Sequence, residues 1–200
     1  MSENKSYKLV LYPKSVDYIL NDWQKIKSTL ENIGFIGDLI GNRNDKQENY
    51  FVGENFLSLI TFLGCSPDIQ IDPEGDSDKF CRIVFSDLQN PVQSPVQSPV
   101  QFRFFERDVA ASCPKCKGKI KNWSTWLDDW KREQIESSHE CLQCNQNNRL
   151  FELNWRHNAA FSRYFIDIYN VYPQEAIPGD ELMSELKRST GQEWGYFFCD

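Results

Sequence analysis

The chain has 200 residues, of which 40% are hydrophobic and 26% are charged, and a formal net charge of -7. This length suits one globular domain, alone or with a small inserted module. Because nucleic-acid backbones and anionic lipid surfaces are also negative, the charge argues against a broad nucleic-acid-binding face and against membrane binding.

The expected location is the cytoplasm. No apolar run approaches the roughly 18 residues that a membrane span needs. The first residues contain only four consecutive apolar positions, too few for a signal-peptide core. In a reducing compartment, paired cysteines are typical of metal sites rather than of disulfides.

The first hundred residues predict two helices between short strands. "YKLVLY" is typical of a strand, and "SVDYILNDWQKIKSTLENIGF" of a helix with Ser15 as N-cap and Gly34 in the left-handed position that ends it. A second helix is predicted over residues 54–63, ending at Gly64. "DIQID" and "FCRIVF" alternate like strands, and Cys81 is expected in the core.

Two polar segments of this half favour surface loops. The acidic stretch at 72–78 fails the EF-hand template, since the twelfth position counted from Asp72 is Ile83 rather than Glu. The repeat "PVQSPVQSPVQ" at 91–101 has proline at every fourth residue, which favours an extended, solvated loop over a proline-motif ligand.

Four of the seven cysteines form two close pairs, "CPKC" at 113–116 and "CLQC" at 141–144. A CxxC turn places two sulfurs on one side of a tight loop, and two such turns supply a closed set of four thiolates. The spacing therefore predicts a structural Zn²⁺ ion, with iron as an alternative occupant. A thioredoxin-like redox pair needs one CxxC and leaves the second unexplained. The predicted ligands are Cys113, Cys116, Cys141 and Cys144.

The segment "CPKCKG…CLQC" resembles the paired knuckles of the zinc-ribbon or treble-clef group, over residues 113–144 only. In the first knuckle, Gly118 stands two residues past the second sulfur, where backbone amides can fold back towards it. The second knuckle, "CLQCNQ", has no glycine. Zinc-finger peptides gain about 10–16 kcal/mol from such an ion, so we expect the module to need its metal to fold.

Between the knuckles, Trp123, Trp126 and Trp130 recur at helical spacing and share one face. They are expected to pack as core, because three exposed indoles would form a large adhesive patch. The alternative is a platform for peptides, sugars or stacked bases. His139 could replace a cysteine ligand, but with four cysteines correctly spaced we expect it near the site or exposed.

The last fifty residues predict a strand, a helix and a strand. "YFIDIYNVY" is typical of a buried strand, while "NAAFSRYF" fits helix or strand. "GDELMSELKRSTG" predicts a helix with Asp180 as N-cap and Gly191 at its end, and "EWGYFFC" predicts a strand with Cys199 in the core. The expected fold is α+β: one mixed domain, residues 1–110 and 149–200, interrupted by a four-cysteine zinc-ribbon-like module at 111–148.

Nucleotide-binding, zinc-protease and serine-hydrolase motifs are absent from the sequence. Cys65 and His157 are the remaining candidates for chemistry. Cys65 is more typical of a buried cysteine at a helix end. His157, with Arg156, is more typical of local hydrogen bonding than of an anion site.

The leading hypothesis is a non-enzymatic cytoplasmic adaptor that binds another protein. A second is nucleic-acid binding through the module, and a third is an enzyme with a pocket in the α+β domain. The second would use the nearby Trp residues and a set of basic side chains: Lys115, Lys117, Lys119, Lys121, Lys131 and Arg132.

Overall fold

The structure is a computed structural model, and it describes residues 7–20, 22–44, 47–64, 69–73, 79–86, 99–106, 109–133, 138–173 and 175–200. Its helices are α1 (Trp23–Asn32), α2 (Phe56–Leu59), α3 (Trp123–Glu133) and α4 (Asp180–Thr190). Its strands are β1 (Lys8–Pro13), β2 (Ile36–Asn44), β3 (Gln47–Val52), β4 (Ile60–Phe62), β5 (Arg82–Ser86), β6 (Gln101–Phe104), β7 (Ala111–Ser112), β8 (Lys119–Ile120), β9 (Ser138–Glu140), β10 (Asn147–Arg149), β11 (Ala159–Ser162), β12 (Phe165–Tyr169), β13 (Ala176–Pro178) and β14 (Trp194–Cys199).

A six-stranded antiparallel sheet organises the fold, in the order β14-β1-β12-β5-β3-β2. Strand β1, near the start of the chain, pairs with β12 on one side and with β14 on the other. The residues after the cysteine region therefore complete a sheet that the residues before it began. The mixed α+β class is confirmed, while the three-part domain division stays a prediction.

One face of the sheet is covered by helices α1 and α4. Successive side chains of a strand point to opposite faces, so Leu9 and Leu11 of β1 face the helices while Val10 faces away. Leu30 of α1 and Leu186 of α4 pack into the same buried cluster as Leu9 and Leu11. This cluster is the main hydrophobic core.

The opposite face of the sheet is covered by a two-stranded ribbon of β6 and β11. Arg103 of β6 reaches down to Asp167 of β12, and its Nη1 lies 3.1 Å from both carboxylate oxygens. The guanidinium also lies 4.1 Å from the ring centroid of Phe165. Asp167 is only 2% exposed, so this ion pair joins the ribbon to the sheet in an interface that is largely inaccessible to solvent.

Helix α1 begins later than the sequence predicts, and Ser15 is not its cap. Asp22 is the N-cap, and its carboxylate accepts from the N–H groups of Gln24 and Lys25. The preceding segment is held by tertiary hydrogen bonds instead: Arg163 donates to the carbonyl of Val16, and the N–H of Leu20 donates to the Tyr164 hydroxyl. Those side-chain bonds use backbone groups that a helix would need.

The predicted second helix is mostly wrong. Only α2 is helical, and residues 60–62 form β4, which pairs with β13. The β-branched Ile60 and Thr61 favour that extended pairing.

Helix α4 is confirmed, with Gly179 rather than Asp180 at its N-cap. Gly34 is left-handed, as predicted, with φ of 69°, and Gly191 ends α4, as predicted, in a left-handed conformation with φ of 70°.

Most predicted strands are confirmed as β1, β5, β12 and β14. Strand β11 resolves "NAAFSRYF" as extended. Residues 69–71 form no strand within the described part of "DIQID". Cys65, residues 74–78 of the acidic loop and residues 91–98 of the proline repeat lie outside the described residues.

Arg103→Met should destabilise the protein by about 3–5 kcal/mol, because it removes the guanidinium that pairs with the buried Asp167 carboxylate. Urea unfolding measures this change. Arg132→Met is the matched control, since Arg132 pairs with Asp129 on the exposed face of α3 and should change stability little. Equal, small effects of the two substitutions would contradict the role given to the buried pair.

Candidate metal centre

The two CxxC segments are the turns of two hairpins with the same backbone design. Strands β7 and β8 flank the first, and β9 and β10 flank the second. The N–H of Cys113 donates to the carbonyl of Gly118 at 2.9 Å, and the N–H of Cys141 donates to the carbonyl of Gln146 at 2.8 Å. The hairpins therefore close in equivalent ways.

The residue after each CxxC pair adopts a left-handed conformation, with φ of 62° at Lys117 and 56° at Asn145. Each donates its N–H back to the backbone carbonyl of the first cysteine of its pair, at 3.0 Å for Lys117 and 2.8 Å for Asn145. This turn brings the two sulfurs of each hairpin to the same side. The absence of glycine from the second knuckle does not prevent it, since asparagine tolerates this conformation well.

The four sulfurs of Cys113, Cys116, Cys141 and Cys144 all lie within 4.8 Å of one another. Across the hairpins, the Sγ atoms of Cys113 and Cys144 are 3.8 Å apart and those of Cys116 and Cys141 are 3.7 Å apart. Four sulfurs placed about 2.3 Å from a central ion at tetrahedral corners would be about 3.8 Å apart. A disulfide would need about 2.05 Å. The geometry fits a metal ion and not a disulfide.

Hydrogen-bond donors surround the sulfurs. The N–H of Gly118 donates to Cys116 Sγ at 3.4 Å, as the sequence predicts. Asn148, which is buried, directs its side-chain amide to Cys113 Sγ at 3.9 Å and to the Gln146 carbonyl at 2.8 Å. Such outer contacts orient metal ligands and stabilise negative sulfur. Sequence reasoning missed Asn148. Asn148 occupies the position in β10 that Ile120 occupies in β8, and a polar residue where the first hairpin has an apolar one was the available signal.

The sulfurs differ in their acidity. Backbone N–H groups, that of Cys116 first, stabilise the Cys113 thiolate and lower the pKa of Cys113 to about 6. At Cys144 the N–H of Gln146 lowers the pKa, but lost hydration and the three neighbouring sulfurs raise it further, to about 11. One thiolate forms readily and opposes the next, so four ionised sulfurs need a cation among them. The donor set therefore fits a thiophilic divalent ion.

Helix α3 lies between the two hairpins in the chain and turns its tryptophan face inwards: Trp126 is buried, and Trp123 and Trp130 are half-buried. Trp123 packs against Trp155 at a centroid distance of 5.4 Å, and Trp130 against Phe161 at 5.3 Å. All three tryptophans join a second hydrophobic cluster that also includes Phe102 and cysteines of both pairs. The core interpretation is confirmed.

His139 stacks on Trp126, with ring centroids 4.2 Å apart and planes 6° from parallel. Within the described residues, the group of potential ligands contains the four cysteines and not His139. Its burial against the indole lowers the pKa of His139, with Asp129 opposing. The histidine therefore packs beside the site instead of entering it.

The remaining candidates lie elsewhere. Cys81 is fully buried, and burial raises the pKa of its thiol to about 12, as expected of an inert core cysteine. Cys199 is half-buried and donates to the carbonyl of Phe104. His157 lines a cleft and belongs to no ligand cluster of the described residues.

Fold and site together define an α+β protein with a four-cysteine candidate metal centre. Comparison with protein-family models, with curated proteins and with solved structures finds no match to this chain. Among the helices within the described ranges, none has the length and apolar character to cross a membrane.

Trp126→Ala should lower the free energy of unfolding by about 3–5 kcal/mol, since it empties a buried position between α3 and the second hairpin. Leu142→Ala, at an exposed position of the same module, should stay within about 0.5 kcal/mol of the parent. Thermal unfolding followed by near-ultraviolet circular dichroism compares the two. A neutral Trp126→Ala would contradict the packing of this face.

Proposed function

We propose that Cys113, Cys116, Cys141 and Cys144 bind one Zn²⁺ ion and that the ion is structural. The observation that carries this proposal is the meeting of four sulfurs at separations that suit a tetrahedral ion. When bound, the ion would cross-link two hairpins and balance the charge of their thiolates. All four positions would be sulfur, so no position would remain open for water or substrate.

The reducing cytoplasm is the compartment that this proposal assumes, because thiolates persist there as ligands. Zinc is preferred to iron because a closed set of four thiolates is the usual structural zinc site. The two metals differ in colour, since ferric thiolate absorbs visible light and zinc thiolate does not. Elemental analysis of the purified protein distinguishes zinc from iron directly.

Purified protein should contain one zinc ion per chain, and Cys144→Ser should lose it. Cys199→Ser is the matched control, because it changes a cysteine outside the cluster and keeps a donor near the Phe104 carbonyl. Inductively coupled plasma mass spectrometry counts the metal in each protein. Stripping the ion with a chelator should lower the melting temperature of the parent, since metal binding and folding are coupled.

Three results would contradict the zinc proposal. The parent protein could be metal-free after purification under reducing conditions. Cys199→Ser could lose as much metal as Cys144→Ser. The chelated protein could melt at the same temperature as the loaded one. Visible colour together with iron in the elemental assay would support the four-cysteine site but identify its metal as iron instead of zinc.

We further propose that the protein is a non-enzymatic adaptor and that the hairpin tips of the module contact a partner protein. The tryptophan face is occupied within the molecule, so it does not serve as this surface. Leu142, inside the second CxxC turn, is 90% exposed. An exposed apolar side chain at the end of a hairpin supports a binding role, because the buried centre of a protein interface is more apolar than the rest of the protein surface.

Leu142→Asp should abolish capture of a partner that binds only the zinc-loaded protein, since it places a charge at the proposed contact. Leu63→Asp is the control, as Leu63 is 61% exposed but lies after β4. Affinity purification with loaded and chelated protein, quantified by mass spectrometry, provides the measurement. A partner lost equally with both variants, or no metal-dependent partner at all, would contradict the proposal.

Nucleic-acid binding is the second candidate, supported by four exposed lysines of the first hairpin region: Lys115, Lys117, Lys119 and Lys121. The packed tryptophans leave this candidate without its predicted stacking groups. A salt-dependent mobility shift with single-stranded RNA or DNA, weakened by Lys119→Gln, would favour it over the adaptor. The absence of a shift at low salt would exclude it. The third hypothesis, an enzyme with a pocket in the α+β domain, stays a prediction.

A further inference from the structure

A cleft of about 230 Å³ lies beside the end of β1 and the chain segment 151–161, apart from the four cysteines. Its lining includes Lys14, Arg156 and His157, together with the ring of Tyr12. No Asp or Glu is among the described residues that line it. On a chain with a net charge of -7, this is a locally cationic recess.

Two residues that line the cleft, Arg156 and His157, occupy an unfavourable turn. Arg156 and His157 have φ of 52° and 61°, and the N–H of Asn158 donates to the carbonyl of Trp155 at 3.0 Å. A two-residue turn with both central residues left-handed normally takes Asn or Gly, because any larger side chain is strained there. Strained residues of this kind gather where their side chains serve a site.

The imidazole of His157 is held in one orientation. Its Nδ1 lies 2.9 Å from the carbonyl oxygen of Tyr196, and its ring stacks on the Tyr196 ring at 4.3 Å. A carbonyl oxygen only accepts, so Nδ1 carries the proton and donates. Nε2 is then the ring atom that can bond to a ligand, either accepting from an O–H or, once protonated, donating to an oxygen.

The charged groups of Lys14 and Arg156 have few competing partners. No ion pair of the Lys14 or Arg156 side chain occurs within the described part of the chain. Glu193 is bound by Lys187, which lowers the pKa of that carboxyl, with a smaller contribution from Lys14. The Arg156 and Lys14 charges are therefore accessible to a ligand.

An aromatic residue, Tyr12, also lines the cleft. The Tyr12 ring lies over Gly195, where any Cβ would come within 2.9 Å of it. Burial of this ring raises the pKa of Tyr12, so its hydroxyl stays neutral in neutral solution. The ring would accommodate the apolar part of a ligand while the cations bind its charge.

We propose that this cleft binds the phosphate group of a small molecule. Arg156 would form paired hydrogen bonds with phosphate oxygens, as its planar guanidinium favours. Lys14 would add a second charge and His157 a directed Nε2 contact. The volume is below the roughly 300–1,000 Å³ typical of drug-sized ligands, which suits inorganic phosphate or a compact phosphate monoester. None of the four cysteines lines this cleft.

Nuclear magnetic resonance of the histidine rings tests this proposal in the intact protein. The chain has two histidines, so His139, stacked on Trp126, is an internal reference. Inorganic phosphate and phenyl phosphate are titrated at constant ionic strength, with chloride as the control anion. Saturable shifts of the His157 ring signals with phosphate, and none with chloride, are expected.

Matched substitutions locate the binding. Lys14→Gln should weaken phosphate binding roughly tenfold, while Lys25→Gln, which removes the same charge from the exposed side of α1, should leave it unchanged. Arg156→Asn separates folding from binding: Asn relieves the left-handed turn, so the melting temperature should hold or rise while affinity falls roughly tenfold or more.

Tighter binding of phenyl phosphate than of inorganic phosphate would identify an organic ligand held against Tyr12, and equal binding would identify free phosphate. Either result supports the site. The proposal is overturned if His157 does not respond, if chloride shifts its signals equally, or if Arg156→Asn binds phosphate as the parent does.

Discussion

The convergence of four sulfurs is the constraint on which the module depends. Each CxxC turn is shaped by its own backbone hydrogen bonds, and the second repeats the first further along the chain. The turns alone, however, do not bring the sulfurs of one hairpin close to the sulfurs of the other hairpin. The tryptophans of α3, which lies between the hairpins in the chain, pack in the same hydrophobic cluster as cysteines of both pairs. Negative sulfurs in such proximity repel one another, so this packing and a bound cation would support each other.

The module is also tied to the sheet through a continuous apolar path. Its cysteines and tryptophans share a buried cluster with Phe102 of β6 and Phe161 of β11. That ribbon in turn lies on the sheet, where Arg103 and Asp167 form their buried pair. A metal-held segment that stood alone would have little core of its own. Here its hydrophobic side is completed by residues from both parts of the chain.

The cleft at Arg156 and His157 follows from the same arrangement. The chain leaves β10 through a short 3-10 helix (Leu150–Glu152), where the Trp155 indole donates to the Leu150 carbonyl. It then turns sharply at Arg156 before entering β11. The turn is therefore placed between the module and the sheet, next to the end of β1. Its strain is balanced by the hydrogen bonds and stacking that His157 makes with Tyr196.

The sequence by itself determined the features that depend on neighbours a few residues apart. Two CxxC spacings predicted the cysteine cluster, tryptophans at helical spacing predicted α3, and the end signals at Asp180 and Gly191 predicted α4. Alternation predicted β5, and strand-like apolar runs predicted β12 and β14. What only the tertiary structure decided were the features made by distant residues. The start of α1 depends on a hydrogen bond that Arg163 donates and on another that the Tyr164 hydroxyl accepts, and β4 is a strand because β13 pairs with it. The β2–β3 hairpin and the cationic cleft likewise escaped prediction. Local patterns carry propensity, but a backbone group or a side chain takes its final partner from whatever the fold brings beside it.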